Sequence, residues 1–183
     1  SSPRGMDFAA RWAEAIFTVQ QEPGLMRTFY ADIKARVAAY GREPHHCAVL
    51  PALDIIVAES EAQAREQADY VDSLASVQLG LQTLCDLTGI DLRQYPLDAV
   101  FADVPVEPER IVSVGLYQNV CGIRREGRPL TVGEAARLYA STWMAPRVVG
   151  TPGQIADHMQ DIFESGCCDG FVIGTSTMPM GLA

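Results

Sequence analysis

The first five residues, Ser1-Ser2-Pro3-Arg4-Gly5, could bind a phosphate group. They combine two hydroxyl groups, one basic side chain and a glycine, and they lead into an amphipathic, helix-forming segment. The start of a helix presents unpaired backbone N–H groups and a partial positive charge, which together attract anions. Ser1, Ser2 and Arg4 are therefore predicted to hold the phosphate of a ligand.

A purely structural interpretation of the same residues stays open. Ser2 could cap the helix through its hydroxyl group, with Pro3 at the first helical position. The segment has no glycine-rich signature that would favour phosphate over capping. Phosphate loops of this kind normally follow a β-strand, and none precedes Ser1, so we expect the sequence to be a piece of a larger protein.

Further candidate site residues follow the predicted strands, because ligands of parallel α/β proteins bind where strands end. These are residues 20–22, Glu59 with Ser60, and residues 175–178. Glu59 could instead complement the dipole of the following helix. The hydroxyl groups of Thr175, Ser176 and Thr177 could belong to a loose tail. No pattern of nucleophile and base is evident. The catalytic residues therefore stay unassigned.

Two carboxylates flank predicted strands and are predicted to be structural, namely Asp54 and Asp169. The three histidines have no metal-ligand spacing, so we expect no metal site. The five cysteines are an odd, scattered set without a CxxC pair, which favours reduced thiols and a cytoplasmic protein.

The net charge of −9 disfavours nucleic acids and anionic membranes as partners, since both require a basic face. No apolar run approaches the ~20 residues of a membrane-spanning helix.

Strands and helices are predicted to alternate along much of the chain. Apolar runs at residues 15–19, 49–58 and 170–174 predict three buried strands. Helix-start patterns at Ser60, Thr131 and Thr151 each place Glu or Gln three positions later. This alternation predicts an α/β fold with a parallel sheet covered by helices.

Residues 80–130 interrupt this alternation with scattered glycines and prolines. A stretch of this length predicts a functional insertion, and it is a candidate substrate lid. A set of mixed short helices packed on the outside of the domain is an equally good interpretation.

Two blocks of the sequence resemble the flavin-dependent luciferase-like monooxygenases, in the branch with the nitrilotriacetate, EDTA and dibenzothiophene-sulfone monooxygenases. Both blocks occur in the order and at about the spacing of that family, with the irregular segment between them. The residues that carry the resemblance are 1–5, 8–11 and 13–18 in the first block, and 149–152, 154–157 and 168–171 in the second.

The resemblance implies a (β/α)8 barrel of the TIM type, of which residues 1–183 would form a single partial domain. The three predicted strands would be the sixth, seventh and eighth of that barrel. Ser1 and Ser2 match the family's flavin-phosphate serines. The implied cofactor is FMN, used as FMNH2 and supplied by an NAD(P)H-dependent flavin reductase. The implied reaction is the oxidation of a small organic substrate by oxygen.

The resemblance also implies that the first five strands of the barrel lie outside this sequence. Three strands cannot close a barrel, so the isolated chain is expected to be inactive, to bind FMN weakly and to expose sheet edges. A homo-oligomer is expected for the intact protein. Two alternatives to the monooxygenase are a non-catalytic flavin-binding relative and an interaction module without activity.

Overall fold

The computed structural model describes residues 2–176. These residues form two compact units. The sheet unit comprises Pro3–Asp72 together with the chain from Met144 onward, and the helical unit comprises Ser73–Trp143, to which Ser2 is also assigned.

The sheet unit alternates helices with strands, as the sequence predicts. Its helices are α1 (Pro3–Trp12), α2 (Pro23–Ala39), α3 (Glu61–Leu74, whose last two residues belong to the helical unit) and α7 (Pro152–Glu164). Its strands are β1 (Ala15–Thr18), β2 (Ala48–Val57), β5 (Arg147–Gly150) and β6 (Val172–Thr175).

All pairs in this sheet are parallel, and β2 pairs with each of the other three strands. Asp54 and Ile55 pair with both β5 and β6, so these two strands lie on opposite edges of β2. The predicted α/β class with a parallel sheet is confirmed. The three predicted strands are present as β1, β2 and β6. The sheet has a fourth strand, β5, whose four residues are too short an apolar run to stand out in the sequence.

Pro51 lies within the central strand rather than at an edge. Val49 donates its N–H to the Asp169 carboxylate, on the edge where β6 later pairs. Alternate residues of a strand point their N–H groups to the same edge, so the missing N–H of Pro51 falls on that edge too. Pairing with β6 begins only at Ala52, so the proline interrupts no hydrogen bond of that ladder.

The helices cover one face of β2. Val49 packs in a buried cluster with Ala10 of α1 and Ile33 of α2. Leu53 packs in a second cluster with residues of α2 and α7. Side chains alternate between the two faces of a strand, so Asp54 points to the opposite face. Asp54 was predicted to flank a strand, whereas it lies inside β2.

The helical unit contains α4 (Val77–Thr88), α5 (Val114–Gly122), a short antiparallel pair of β3 (Arg124–Arg125) and β4 (Arg128–Pro129), and α6 (Val132–Thr142). Gly80 lies inside α4 and does not break it. A Cβ atom at Gly80 would lie 2.0 Å from the carbonyl oxygen of Ala136. Glycine is therefore required there because α4 and α6 pack with their backbones in close contact.

The predicted helix ends agree with the structure where local signals mark them. Thr131 and Thr151 each form a complete capping box, with Glu134 and Gln154 respectively. The backbone N–H of Gln63 donates to the Ser60 hydroxyl at the start of α3. Helix α1 begins at Pro3, the residue predicted for the first helical position.

Candidate functional site

Helix α1 starts at the residues that were predicted to bind phosphate. Ser2 directly precedes the helix, Pro3 is its first residue, and Arg4 follows; all three are exposed. Ser1 lies outside the described residues. The first turn of α1 carries no acidic residue, so no negative side chain of that turn competes for an anion.

Helix α1 is held in place from its other end. Arg42 donates to the carbonyl oxygens of Ala10 and Ala13, at 2.7 and 2.8 Å, and thereby satisfies the end of α1. Arg36 of α2 donates to Asp7 of α1 at 2.6 Å.

These contacts also fix the direction of α1. Arg42 follows the end of α2, so the carboxyl ends of α1 and α2 lie together and the two helices run in the same direction. The start of α2 follows the carboxyl end of β1. The start of α1 therefore faces the edge of the sheet where strands end, which is where α/β proteins bind ligands.

The other predicted site residues lie at that same edge, but the strands that they follow end at different levels. β1 ends opposite Pro51, whereas β6 ends opposite Ile55. Gln21, after β1, donates its amide to the carbonyl oxygen of Met144. Glu59 and Ser60 follow β2 and are exposed, and Ser60 caps α3. Residues 177 and 178 lie outside the described residues.

A charged cluster at this edge was missed by the sequence analysis. Arg147 donates its Nε–H to Asp54 Oδ2 at 2.5 Å, and its guanidinium also pairs with Asp72. Ser176 donates to Asp54 Oδ1 at 2.8 Å and accepts from Arg147 Nη2 at 3.2 Å. The Arg147 and Asp54 side chains are only 12% and 8% exposed. Two charges so far removed from water are unusual unless hydrogen bonds compensate them.

A second ion pair lies at the opposite ends of the strands. Asp169 accepts from Lys34 Nζ at 2.8 Å, from the backbone N–H of Val49 at 2.7 Å and from the Tyr30 hydroxyl at 3.0 Å. Desolvation by burial acts to raise the pKa of Asp169, but the hydrogen bonds from Lys34, Val49 and Tyr30 together lower it. Burial and the Asp169 carboxylate raise the pKa of Tyr30 to about 12. This arrangement supports the predicted structural role of Asp169.

The remaining chemistry-bearing residues are dispersed. All five cysteines are free thiols, and all but Cys121 are buried. Desolvation raises the pKa of Cys47, Cys121 and Cys168, which disfavours the reactive thiolate. Within residues 2–176, no three His, Cys, Asp or Glu side chains are grouped so that they could hold a metal ion. In the same range, no helix has both the length and the apolar character needed to cross a membrane.

The sequence thus predicted where α1 begins and where the three recognised strands end. It did not indicate a role for Arg147, and Asp54 was predicted to flank a strand. The two partners are 93 positions apart, and only the pairing of β2 with β5 brings them together. The one signal available in the sequence was an acidic residue, Asp54, within an otherwise apolar strand.

Comparison with known proteins identifies relatives over nearly the whole chain. A family model described as luciferase-like monooxygenase matches residues 1–168. The dibenzothiophene-sulfone monooxygenase of Rhodococcus erythropolis is 37% identical over 97% of this chain and 39% of its own length. The nitrilotriacetate monooxygenase component A of Aminobacter aminovorans is 35% identical over 98% of this chain and 39% of its own length.

Solved structures agree at the level of the fold. The crystal structure of DmoA from Hyphomicrobium sulfonivorans matches 100% of this chain with a TM-score of 0.79 and 23% sequence identity. The match covers 37% of that protein. The chain therefore spans about two fifths of the length of the relatives that it matches.

Proposed function

Because the chain belongs to the luciferase-like monooxygenase family, we propose that it is the C-terminal part of an FMNH2-dependent, two-component monooxygenase. The family match over residues 1–168 carries this proposal. The protein would oxidise a small organic substrate with oxygen, using reduced flavin from a separate NAD(P)H-dependent reductase. The whole protein is further proposed to be cytoplasmic and homo-oligomeric.

In this proposal the sheet unit is part of a (β/α)8 barrel. β1, β2 and β6 would be its sixth, seventh and eighth strands. β5 would be a short additional strand paired with the carboxyl end of the seventh. Two observations support the assignment: the strands are parallel, and the helices α1, α2 and α7 cover one face of β2. Residues 80–130 stay a proposed substrate lid.

The start of α1 fits the phosphate of FMN. Its first residues are exposed at the positive end of a helix, include the Arg4 side chain, and contain no carboxylate. Ser1 and Ser2 would add hydroxyl donors. Arg42 and Arg36 hold the helix from its far end and its side, so that these donors stay at the edge where strands end.

When bound, the reduced flavin supplies the reaction with oxygen, and the protein supplies the binding, orientation and exclusion of water. In this chain, the start of α1 would hold the phosphate, and the strand ends would form one wall of the site.

The test of the proposed function is oxygen-dependent product formation by the natural protein that contains this sequence. The assay supplies FMN, a flavin reductase and NADH, with dibenzothiophene sulfone and nitrilotriacetate as probe substrates. Oxidation of either probe that depends on FMN supports the proposal. Tight flavin binding without any oxidation would favour a non-catalytic relative instead.

A matched pair of variants tests the phosphate site. Arg4→Gln is expected to weaken FMN binding about three- to tenfold, since it removes one charge near a phosphate. Arg11→Gln makes the same charge change in the last turn of the same helix, and it is expected to leave FMN affinity unchanged. Flavin fluorescence titration measures both. Equal effects of the two variants would contradict a phosphate site at the start of α1.

A further inference from the structure

A cavity of about 450 Å³ lies within the helical unit. Its walls come from two segments, the turn that follows α4 and the chain from residue 105 to residue 110. Ile90, Pro105 and Val106 give it an apolar wall, and Tyr95 and Arg110 add polar groups. Cavities of about 300–1,000 Å³ with apolar walls and a few polar groups are typical of sites for small molecules.

Backbone contacts hold the two segments together, so the cavity is preformed. Gly89 follows the end of α4 with a φ of +76°, and a Cβ atom there would lie 2.1 Å from the carbonyl oxygen of Arg110. The chain after Arg110 is bonded to the same helix end, because Val112 donates its N–H to the carbonyl oxygen of Thr88 at 3.1 Å. Glycine is therefore required at position 89 for the two backbones to meet.

Two side chains of the cavity carry hydrogen-bond donors without a partner in the described part of the chain. The half-buried Tyr95 has no partner for its hydroxyl group among residues 2–176. Arg110 pairs with Glu107 through Nε at 2.7 Å, and its two terminal nitrogens are unpaired in the same range. A ligand that supplies acceptor oxygens would satisfy both side chains.

The charges around the cavity cancel. Its two carboxylates are already paired, Asp91 with Arg93 at 2.6 Å and Glu107 with Arg110. A charged ligand would give up water without a free opposite charge to compensate it. The ligand that fits is therefore uncharged and combines an apolar body with acceptor oxygens.

We propose that this cavity is a binding site for a small, uncharged organic molecule of that kind. Ile90, Pro105 and Val106 would contact its apolar body, while the Tyr95 hydroxyl and the Arg110 guanidinium would donate to its oxygens. Binding there needs neither flavin nor oxygen, so it does not depend on the proposed monooxygenase activity. It gives the irregular segment 80–130 a ligand of its own.

Dibenzothiophene sulfone is the probe, because it is uncharged and joins an aromatic body to two sulfone oxygens. Amide hydrogen exchange is followed in the natural protein that contains this sequence, without flavin or reductase. At saturating probe, exchange is expected to slow at least about threefold at residues 89–95 and 105–112. Nitrilotriacetate, which is charged and has no apolar body, is expected to leave exchange at those residues unchanged.

Matched variants test the two parts of the cavity. Tyr95→Phe removes one hydroxyl group and is expected to raise the probe concentration for half-maximal protection about fivefold. Tyr70→Phe removes the same group from helix α3, outside the cavity, and is expected to have no effect. Val106→Trp fills the cavity and is expected to abolish protection. Val114→Trp makes the same change at the exposed start of α5 and is expected to retain it.

Circular dichroism establishes that each variant is folded, and Tyr95→Phe decides the outcome if Val106→Trp is not. Protection that is absent at residues 89–112, or that is unchanged in Tyr95→Phe, would overturn the proposal. Protection confined to the ends of the strands would place the probe only at the proposed monooxygenase site, and would overturn it as well. Equal protection by nitrilotriacetate would contradict the proposed class of ligand.

The proposed function and the cavity can fail separately. Protection at residues 89–112 in a protein that oxidises neither probe would support the cavity and count against the proposed function alone. Oxidation of a probe without that protection would support the proposed function and overturn the cavity.

Discussion

At the scale of single residues, Asp169 joins three elements through one carboxylate. Its oxygens accept from Lys34 and Tyr30 of α2 and from the backbone of β2 at Val49, while its own position leads into β6. The same carboxylate holds the Tyr30 phenol in its neutral form, because a phenolate would lie next to a negative charge. Burial and this contact raise the pKa of Tyr30 to about 12, from an ordinary value of 10.0.

This shift predicts how the stability of the protein depends on alkaline pH. The pKa of Tyr30 is higher in the folded chain, so the neutral phenol contributes stability that is fully present below about pH 10. That contribution is lost as the pH rises from about 10 to about 12. The expected loss appears as a falling free energy of unfolding in urea over this range.

The matched variant for this prediction is Tyr30→Phe, which keeps the ring and removes the titrating group. It is expected to be less stable than the wild type near neutral pH, and to lose less stability above pH ~10. An identical slope of stability against pH in both proteins would show that Tyr30 does not titrate as the contact with Asp169 requires.

At the scale of elements, the sequence predicted the features with local causes. The starts of α6 and α7 could be predicted because a threonine and a Glu or Gln three positions later satisfy each other's backbone N–H groups. β5 could not be predicted in this way. Residues 147–150 form a strand because they pair with β2, which lies far from them in the sequence. The contact between Arg147 and Asp54 depends on the same pairing, so the sequence could not predict it either.

The cap of α7 gives a prediction at this scale. Thr151→Ala removes the acceptor of the Gln154 N–H and is expected to lower the free energy of unfolding by about 1 kcal/mol. Thr28→Ala is the control, since Thr28 is exposed and its hydroxyl donates to the carbonyl oxygen of Gly24 within the same helix, α2. That change is expected to alter stability by less than about 0.5 kcal/mol. Urea unfolding with an unchanged m-value would measure both, and equal losses would argue against the capping role.

At the scale of the whole molecule, the sheet unit presents an open edge. β1 pairs with β2, and no other strand pairs with β1 among residues 2–176. Large apolar side chains are exposed on α1 and β1, namely Phe8, Trp12 and Phe17. An unpaired strand edge with exposed apolar side chains is a surface on which chains associate. In an intact barrel the same edge would pair with a neighbouring strand.

The polypeptide of residues 1–183, expressed alone, is therefore expected to self-associate as its concentration rises. Phe17 is 61% exposed on the edge strand, so Phe17→Lys places a charge there and is expected to weaken association without loss of helix content. Tyr70→Lys is the matched control, because Tyr70 is 66% exposed on helix α3 and offers no strand edge. Sedimentation velocity over a concentration series, with circular dichroism, distinguishes the variants. A wild-type chain that stays monomeric at every concentration would show that the open edge of β1 does not drive association.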